Sequence, residues 1–471
     1  MVGTARDSTS RSASPLVADL IAVVGSDAVK SAPADLMMYE FDASMDMASP
    51  EVVVFPRTAT EIQRICEIAR MYGRPVVPRG AGTGLSGGAV PSEGGIVLVT
   101  TRMDAIREID PLNLRARVQP GVRNLALSEA VARHNLFYAP DPSSQRASTI
   151  GGNVAENAGG PHCLAHGVTT NYVLGLELVT IDGERISCET DEPGYDIAGV
   201  VCGAEGTLAI VTEIVVRLKR LPEAVVTLLA IFPTLESSGE AVSAIIAEGI
   251  VPTAMELLDH DTILAVEPFV HAGYPLDAGA ALVVEVDGLG DGLGDLAYRL
   301  EHICSEFGAT SVRSAQTEDE RIRLWAGRKG AGGALGRLAP AYYVVDGVVP
   351  RSQLPAALRG VGKTAAKFDL RIANVCHAGD GNIHPTILFD PRDAEQTRKV
   401  LLAGAEILDH CLALGGALSG EHGIGLEKRD LMPRMFLPDD LAAMRRLRSC
   451  FDPDGRMNPG KLFPASPRDR P

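Results

Sequence analysis

Short apolar runs alternate with glycine-rich polar stretches through the first half of this chain, and that rhythm predicts its elements. Pro15 opens a short helix through Leu16, Leu20 and Ile21 that ends near Gly25. Residues 51–56, EVVVFP, read as a strand. Thr58 and Glu61 then form a capping-box signature for a helix whose apolar face is Ile62, Ile65, Cys66 and Ala69, stopped at Gly73. Val76-Val77 and the run at 96–99, IVLV, are two further strands. Between them lie residues 78–95, PRGAGTGLSGGAVPSEGG. A strand at 115–119 and a helix over 122–135 follow. A long polar and glycine-rich stretch at 141–167 is read as an ordered loop. A strand at 173–180 turns at Asp182-Gly183, and GAEGT at 203–207 leads into a strand at 208–218.

Near Leu221-Pro222 the pattern changes. Apolar runs at 225–232, 281–286, 342–345 and 372–376 alternate with helical stretches at 235–248, 296–307, 318–338, 353–368 and 394–414. That alternation predicts a second α+β domain, one sheet covered by helices. No internal repeat or low-complexity segment interrupts it. The first 15 residues and the tail after Phe463 are expected to fray.

The stretch at 78–95 contains Gly82-Thr83-Gly84-Leu85-Ser86-Gly87, which fits the G-x-G-x-x-G dinucleotide pattern. The pattern has meaning only where the glycines open a helix. Pro91, Gly94 and Gly95 leave no room for one before the next strand. A nicotinamide-binding βαβ unit is therefore excluded. What remains is a glycine loop whose N–H groups can form a concavity for a phosphate, or a turn that binds nothing.

Composition narrows the partners. Forty-four basic against 60 acidic residues give a formal charge of −16, which disfavours nucleic acid and anionic membrane surfaces. No apolar run approaches the ~18 residues of a membrane span, and the N-terminus lacks the apolar core of a secretory signal. The eight cysteines include no C-x-x-C pair and suggest neither a disulfide framework nor an iron–sulfur ligand set. The expected setting is the cytoplasm.

The densest chemistry comes late. HAGDGNIH at 377–384 places two histidines at the ends of a tight glycine turn, and GEHGIG at 420–425 frames a carboxylate and an imidazole with glycines. His377, His384 and Glu421 offer two nitrogens and one oxygen, a ligand set that leaves coordination positions open on a divalent ion such as Zn, Fe or Mn. His422 is then free to act as a base. Arg328, beside the only tryptophan, has the chemistry to clamp a carboxylate, although from the residues alone a solvated helix arginine is the better explanation. His162 and His166 could approach a ligand or simply be exposed.

Taken together, PRGAGTGLSGGA, STIGGNVAENAGG, GAEGTLAIVTE, HAGDGNIHP, SGEHGIG and DPDGRMNPGK resemble the FAD-linked 2-hydroxyacid dehydrogenases of the vanillyl-alcohol oxidase fold superfamily. The likeness runs from about residue 50 to 461 in the right order, and is greatest to the glycolate-oxidising and cytochrome-linked D-lactate-oxidising members. It implies an α+β fold. A helical segment at 1–47 precedes a two-part FAD-binding domain of p-cresol methylhydroxylase type at 48–220. An α+β cap domain follows at 221–415, and a C-terminal segment at 416–471 returns to the flavin domain.

On this resemblance FAD is held without a covalent bond. Pro78, Arg79, Gly80, Ala81, Gly82, Thr83, Gly84, Leu85, Ser86 and Gly87 wrap its pyrophosphate. Pro142, Ser143, Ser148, Thr149, Gly152, Asn153, Asn157 and Gly159 line the flavin and phosphates. Glu205, Gly206 and Ile210 present backbone, and Asn458 marks the returning chain. His377, His384 and Glu421 match metal ligands, His422 the catalytic base, and Arg328 a carboxylate-binding arginine.

Two departures bear on substrate. Relatives acting on 2-hydroxyglutarate carry a lysine near Val344, which cannot bind a second carboxylate, so a small monocarboxylate such as glycolate or D-lactate is expected. Relatives also tend to have lysine and tyrosine at Ala165-His166. The acceptor would be an iron–sulfur partner subunit, electron-transfer flavoprotein, a quinone or a cytochrome, with a partner able to hold the chain at the inner membrane face. Homodimer and hetero-oligomer both stay open. Alternatives are another flavoenzyme chemistry on the same fold and a flavin-holding subunit that only relays electrons.

Overall fold

The computed structural model describes residues 14–190 and 192–464, so the tails expected to fray lie almost wholly outside the described residues. The first unit carries two sheets. In the smaller, Val52–Val54 and Val76–Arg79 both run parallel to the central strand Ile96–Val99, and Val29–Lys30 closes one edge antiparallel. The parallel pair 76–79 and 96–99 is joined by loop alone, which removes the βαβ reading structurally. The helix Ala59–Met71 covers the sheet and buries Ile62, Ile65, Cys66 and Ala69, the face expected of it. Thr58 caps it as predicted, but Glu61 reaches back to the N–H of Arg57 rather than that of Thr58.

The larger sheet is an antiparallel set of five, in the order Ile106–Asp110, Arg115–Val118, Ile210–Arg217, Val173–Val179, Arg185–Glu189. Its last two strands are the hairpin expected at Asp182-Gly183. The stretch at 141–167 is a correction, because it is not loop throughout. Thr149 accepts from the N–H of Gly152 and starts the helix Ile150–Glu156, which Asn157 ends in the left-handed region at φ 51°. Paired glycines at 151–152 hid this helix, since glycine carries a penalty of about 1 kcal/mol in helices. Here they let it approach other backbone. A Cβ on Gly151 would lie 2.4 Å from Pro120.

The second unit is one antiparallel sheet ordered Ser311–Ser314, Ala224–Phe232, Ala280–Gly288, Ala254–Asp259, Arg371–His377, Asn382–Phe389, Ala341–Val344, with Gly347–Val348 also pairing on Asn382–Phe389. Helices Leu235–Ala247, Leu293–Glu306, Leu354–Phe368 and Ala394–Ala413 pack their buried faces into one core with it. Helices His260–Val270 and Glu318–Leu335 share a separate core. The central strand Ala254–Asp259 was not anticipated. Its sequence AMELLD is made of helix formers and is buried at every position, so no alternation betrays it.

The chain then returns to the first unit. Val76 donates to the carbonyl of Arg456 and accepts from the N–H of Asn458, adding a bridge to the edge of the parallel sheet.

Candidate active site

Both units face one cavity of about 1870 Å³, its open mouth included. The wall from the first unit is the glycine loop at 80–85 with Pro78 and Arg79, then Pro142, Ser143, Ser148, Thr149, Gly152, Asn153 and Gly159, then Glu205, Gly206 and Ile210. The structure thus brings together nearly all the residues expected at a cofactor. Ser86, Gly87, Asn157 and Asn458 stand behind that wall. Asn458 donates from Nδ2 to the carbonyls of Gly88 (2.9 Å) and Glu205 (2.8 Å), so it ties the C-terminal segment to two cradle loops. Close packing explains the glycines. A Cβ on Gly80 would lie 2.4 Å from Thr149 Oγ1, and Gly82 takes φ +71°.

The opposite pole gathers His377, His384, Glu421, His422 and Arg328, all lining the cavity. Glu421 Oε1 lies 3.1 Å from His377 Nε2 and 3.2 Å from His384 Nε2, and the three ligating atoms fall within 4.8 Å of one another. His422 stacks parallel on His384 at 4.8 Å between ring centres. Burial pushes the His422 imidazole down to about 4, which keeps it neutral and able to accept a proton.

A second grouping, Asp346 with His384 and His422, also has metal-like spacing. Its carboxylate is already spent. Asp346, fully buried, accepts from Ser419 Oγ (2.6 Å), Lys428 Nζ (2.9 Å), Asn382 Nδ2 (2.9 Å) and the N–H groups of Gly420, Glu421 and His422. Asp346 is therefore the anchor of the GEHG loop, and the donor set with free lone pairs is His377, His384 and Glu421. Against the pull of burial, Lys428 holds the Asp346 carboxyl well below its usual range.

Glu256 does the corresponding work on the other side. It sits directly opposite His377 on the neighbouring strand. Its Oε1 meets His377 Nδ1 at 2.7 Å and its Oε2 accepts from Arg328 Nε at 2.5 Å. One buried carboxylate thus orients a metal-type histidine and the arginine together, leaving the guanidinium's other edge for the cavity. Glu256, Asp346 and Lys428 escaped sequence reasoning. An acid in the middle of AMELLD and another ending YYVVD were the available signals.

Two expectations are refined. Glu205 does line the cavity, but its side chain also crosses to the C-terminal segment, accepting from the N–H of Ile424 (2.6 Å) and Gly425 (2.7 Å). His162 and His166 are absent from the cavity lining. His166 Nδ1 faces Lys219 Nζ at 3.0 Å, and His162 bridges Asp141 (2.8 Å) to Glu285 (3.3 Å).

Residues 50–189 match the family described as "FAD binding domain", and residues 221–462 match "FAD linked oxidases, C-terminal domain". The chain is 48% identical to the "Glycolate oxidase subunit GlcD" of Escherichia coli (strain K12) over 434 residues, 91% of this chain and 87% of that one. It is 30% identical to the "Probable D-lactate dehydrogenase, mitochondrial" of Danio rerio, over 95% of this chain and 91% of that one. In fold it is similar to 4-ethylphenol oxidase from Gulosibacter chungangensis, with a TM-score of 0.80 at 16% identity over 97% and 98% of the two chains.

Proposed function

The chain belongs to the FAD-linked oxidases, with the two-domain α+β architecture of p-cresol methylhydroxylase type, and from that premise we propose that it oxidises a small 2-hydroxy acid, glycolate or D-lactate, to the 2-oxo acid. The observation that carries the reading is the convergence of two histidines, a glutamate, a neutral histidine and an arginine on the cavity that the glycine loops also line.

The residues present fit both implied groups. The cradle is close-packed glycine backbone, and Ser148 Oγ is buried at its wall with no partner among the described residues. Gly80, Gly82, Thr149, Gly152 and Asn153 would hold FAD, and His377, His384 and Glu421 a divalent cation. Bound FAD supplies the hydride acceptor at flavin N5, and the cation supplies a Lewis acid for the substrate hydroxyl. The chain does the rest. Arg328, braced by Glu256, pairs with the substrate carboxylate and fixes which face of the substrate carbon is presented. His422 accepts the hydroxyl proton at Nε2, while Asp346 keeps the loop bearing it from moving. Val344, Leu335 and Val375 line the cavity without charge, which suits a short apolar substituent rather than a second carboxylate.

The direct test is a panel of D- and L-2-hydroxy acids scored by anaerobic bleaching of the flavin, before and after chelation. Glycolate or D-lactate should bleach it, and chelation should abolish bleaching. Bleaching by none of the panel would remove the reading. The electron acceptor is proposed to be a partner protein or a quinone. Among the described residues no helix is long and apolar enough to cross a membrane.

A further inference from the structure

One acid in the cavity wall takes no part in this scheme. Glu156 ends the helix Ile150–Glu156, and its carboxyl fills the gap between the cradle and the GEHG loop. A Cβ on Gly88 would lie 2.8 Å from its Oε1, and one on Gly423 2.9 Å from its Oε2. Oε2 is sealed from solvent and has no hydrogen-bond partner among the described residues.

The surrounding charges are committed elsewhere. Lys428 Nζ is spent on Asp346 and the carbonyl of Gly423, and Lys461 Nζ on the carbonyl of Val90 (2.6 Å). Glu205, on the same face of Gly423, takes the two available N–H donors of Ile424 and Gly425. Asp42 adds a further negative charge near Gly84. Of two acids packed around one glycine, Glu205 is raised by burial but has two N–H donors that favour its charge, and Glu156 has none among the described residues. A buried carboxylate without donors costs several kcal/mol and takes up a proton instead. Burial, then the charges of Glu205 and Asp42, accordingly push Glu156 well above the usual carboxylate range.

We propose that Glu156 is held as a neutral carboxylic acid and donates its proton in a hydrogen bond to an acceptor atom of bound FAD. An ionised carboxylate beside Gly84 and Gly88 would set negative charge in the cradle of an anionic cofactor, whereas the acid form offers a donor. The inference rests on the FAD-binding part of the reading above and is independent of which substrate is oxidised.

The test is FAD release from the holoenzyme on dilution, followed by flavin fluorescence across alkaline pH in the wild type and in Glu156→Gln. Donation requires the protonated form, so wild-type affinity should hold at neutral pH and fall by up to about tenfold per pH unit as Glu156 ionises. The amide of Glu156→Gln donates at every pH, so its curve should lack that fall. Lys461, pushed down to about 8 by burial, titrates nearby in both proteins and cancels in the comparison. Parallel curves would overturn the proposal, as would a folded Glu156→Gln protein that no longer retains FAD. Infrared spectra of the wild-type holoenzyme give an independent check. A protonated-carboxyl band that Glu156→Gln abolishes is expected, and two identical spectra would refute it. Failure of every 2-hydroxy acid to bleach the flavin would leave these FAD readouts untouched.

Discussion

At one end of the cavity, glycines at 80, 82 and 152 bring backbone to the surface, and the wall is built from segments that each lie within a few residues of sequence. At the other end the surface is side chain, and buried carboxylates far away in sequence grip the segments that carry the working groups. Glu256 holds His377 across 121 residues, and Asp346 holds the N–H of His422 across 76. The difference separates two tasks. A cradle for a large anionic cofactor needs close approach and many N–H groups, which glycine-rich loops supply locally. A reaction centre needs a few groups fixed to a fraction of an ångström, and only packed, fully bonded neighbours provide that.

The contrast can be broken most severely at His422. His422→Ala removes the base but no cradle residue, so the yellow flavin spectrum should persist while anaerobic bleaching slows by roughly 10²–10⁴-fold. Equal bleaching in that variant would reassign the base.

Asp346→Asn comes next, because it leaves the Lys428 ammonium buried without its counter-ion. Stripping one partner from a buried pair costs about 3–5 kcal/mol. A fall in Tm of several degrees should accompany slower flavin reduction, since the GEHG loop loses its anchor. Unchanged Tm would mean that Ser419 and Asn382 suffice to hold it.

Glu256→Gln should act more gently and more selectively. It keeps the shape but weakens the grip on both Arg328 Nε and His377 Nδ1. Removing such a supporting partner typically costs 10–100-fold in metal affinity. The expected signature is a KM for the hydroxy acid raised about tenfold together with weakened metal retention, at unchanged FAD content. Loss of kcat alone, with KM and metal intact, would separate Glu256 from Arg328.

The same contrast explains what could be read from the chain. The cradle was legible because its motifs are contiguous and punctuated by glycine and proline, and the absence of room for a helix between Gly88 and Ile96 alone disposed of the nicotinamide fold. His377, His384, Glu421 and His422 were legible because glycines frame them. Glu256 and Asp346 were not, because an acid among apolar residues carries no local sign of what it faces. That depends on sheet order, in which Ala254–Asp259 lies beside Arg371–His377. The helix Ile150–Glu156 was lost for the opposite reason, a tertiary fit that overrides glycine's low propensity.

The smallest expected effect lies where the two regions meet. His162, on the cradle side, has Asp141 at 2.8 Å on Nδ1 and Glu285 of the cap sheet at 3.3 Å on Nε2. A neutral imidazole carries one N–H and could satisfy only one of the two carboxylates, so the geometry itself calls for the cation. Burial opposes that charge, yet Asp141 and Glu285 raise the imidazole to about 10, and Glu285, against its own burial, is lowered to about 2 mainly by His162. A folded-state value above the unfolded ~6.5 means that the bridge stabilises fully below that pH. Its contribution then declines as pH rises toward about 10. His162→Gln should therefore lower Tm by a few degrees at pH 6 and leave it nearly unchanged at pH 10. A Tm difference independent of pH would show that the packing of the His162 ring on Trp325, at 5.1 Å between ring centres, and not the imidazolium charge, joins the cradle to the cap.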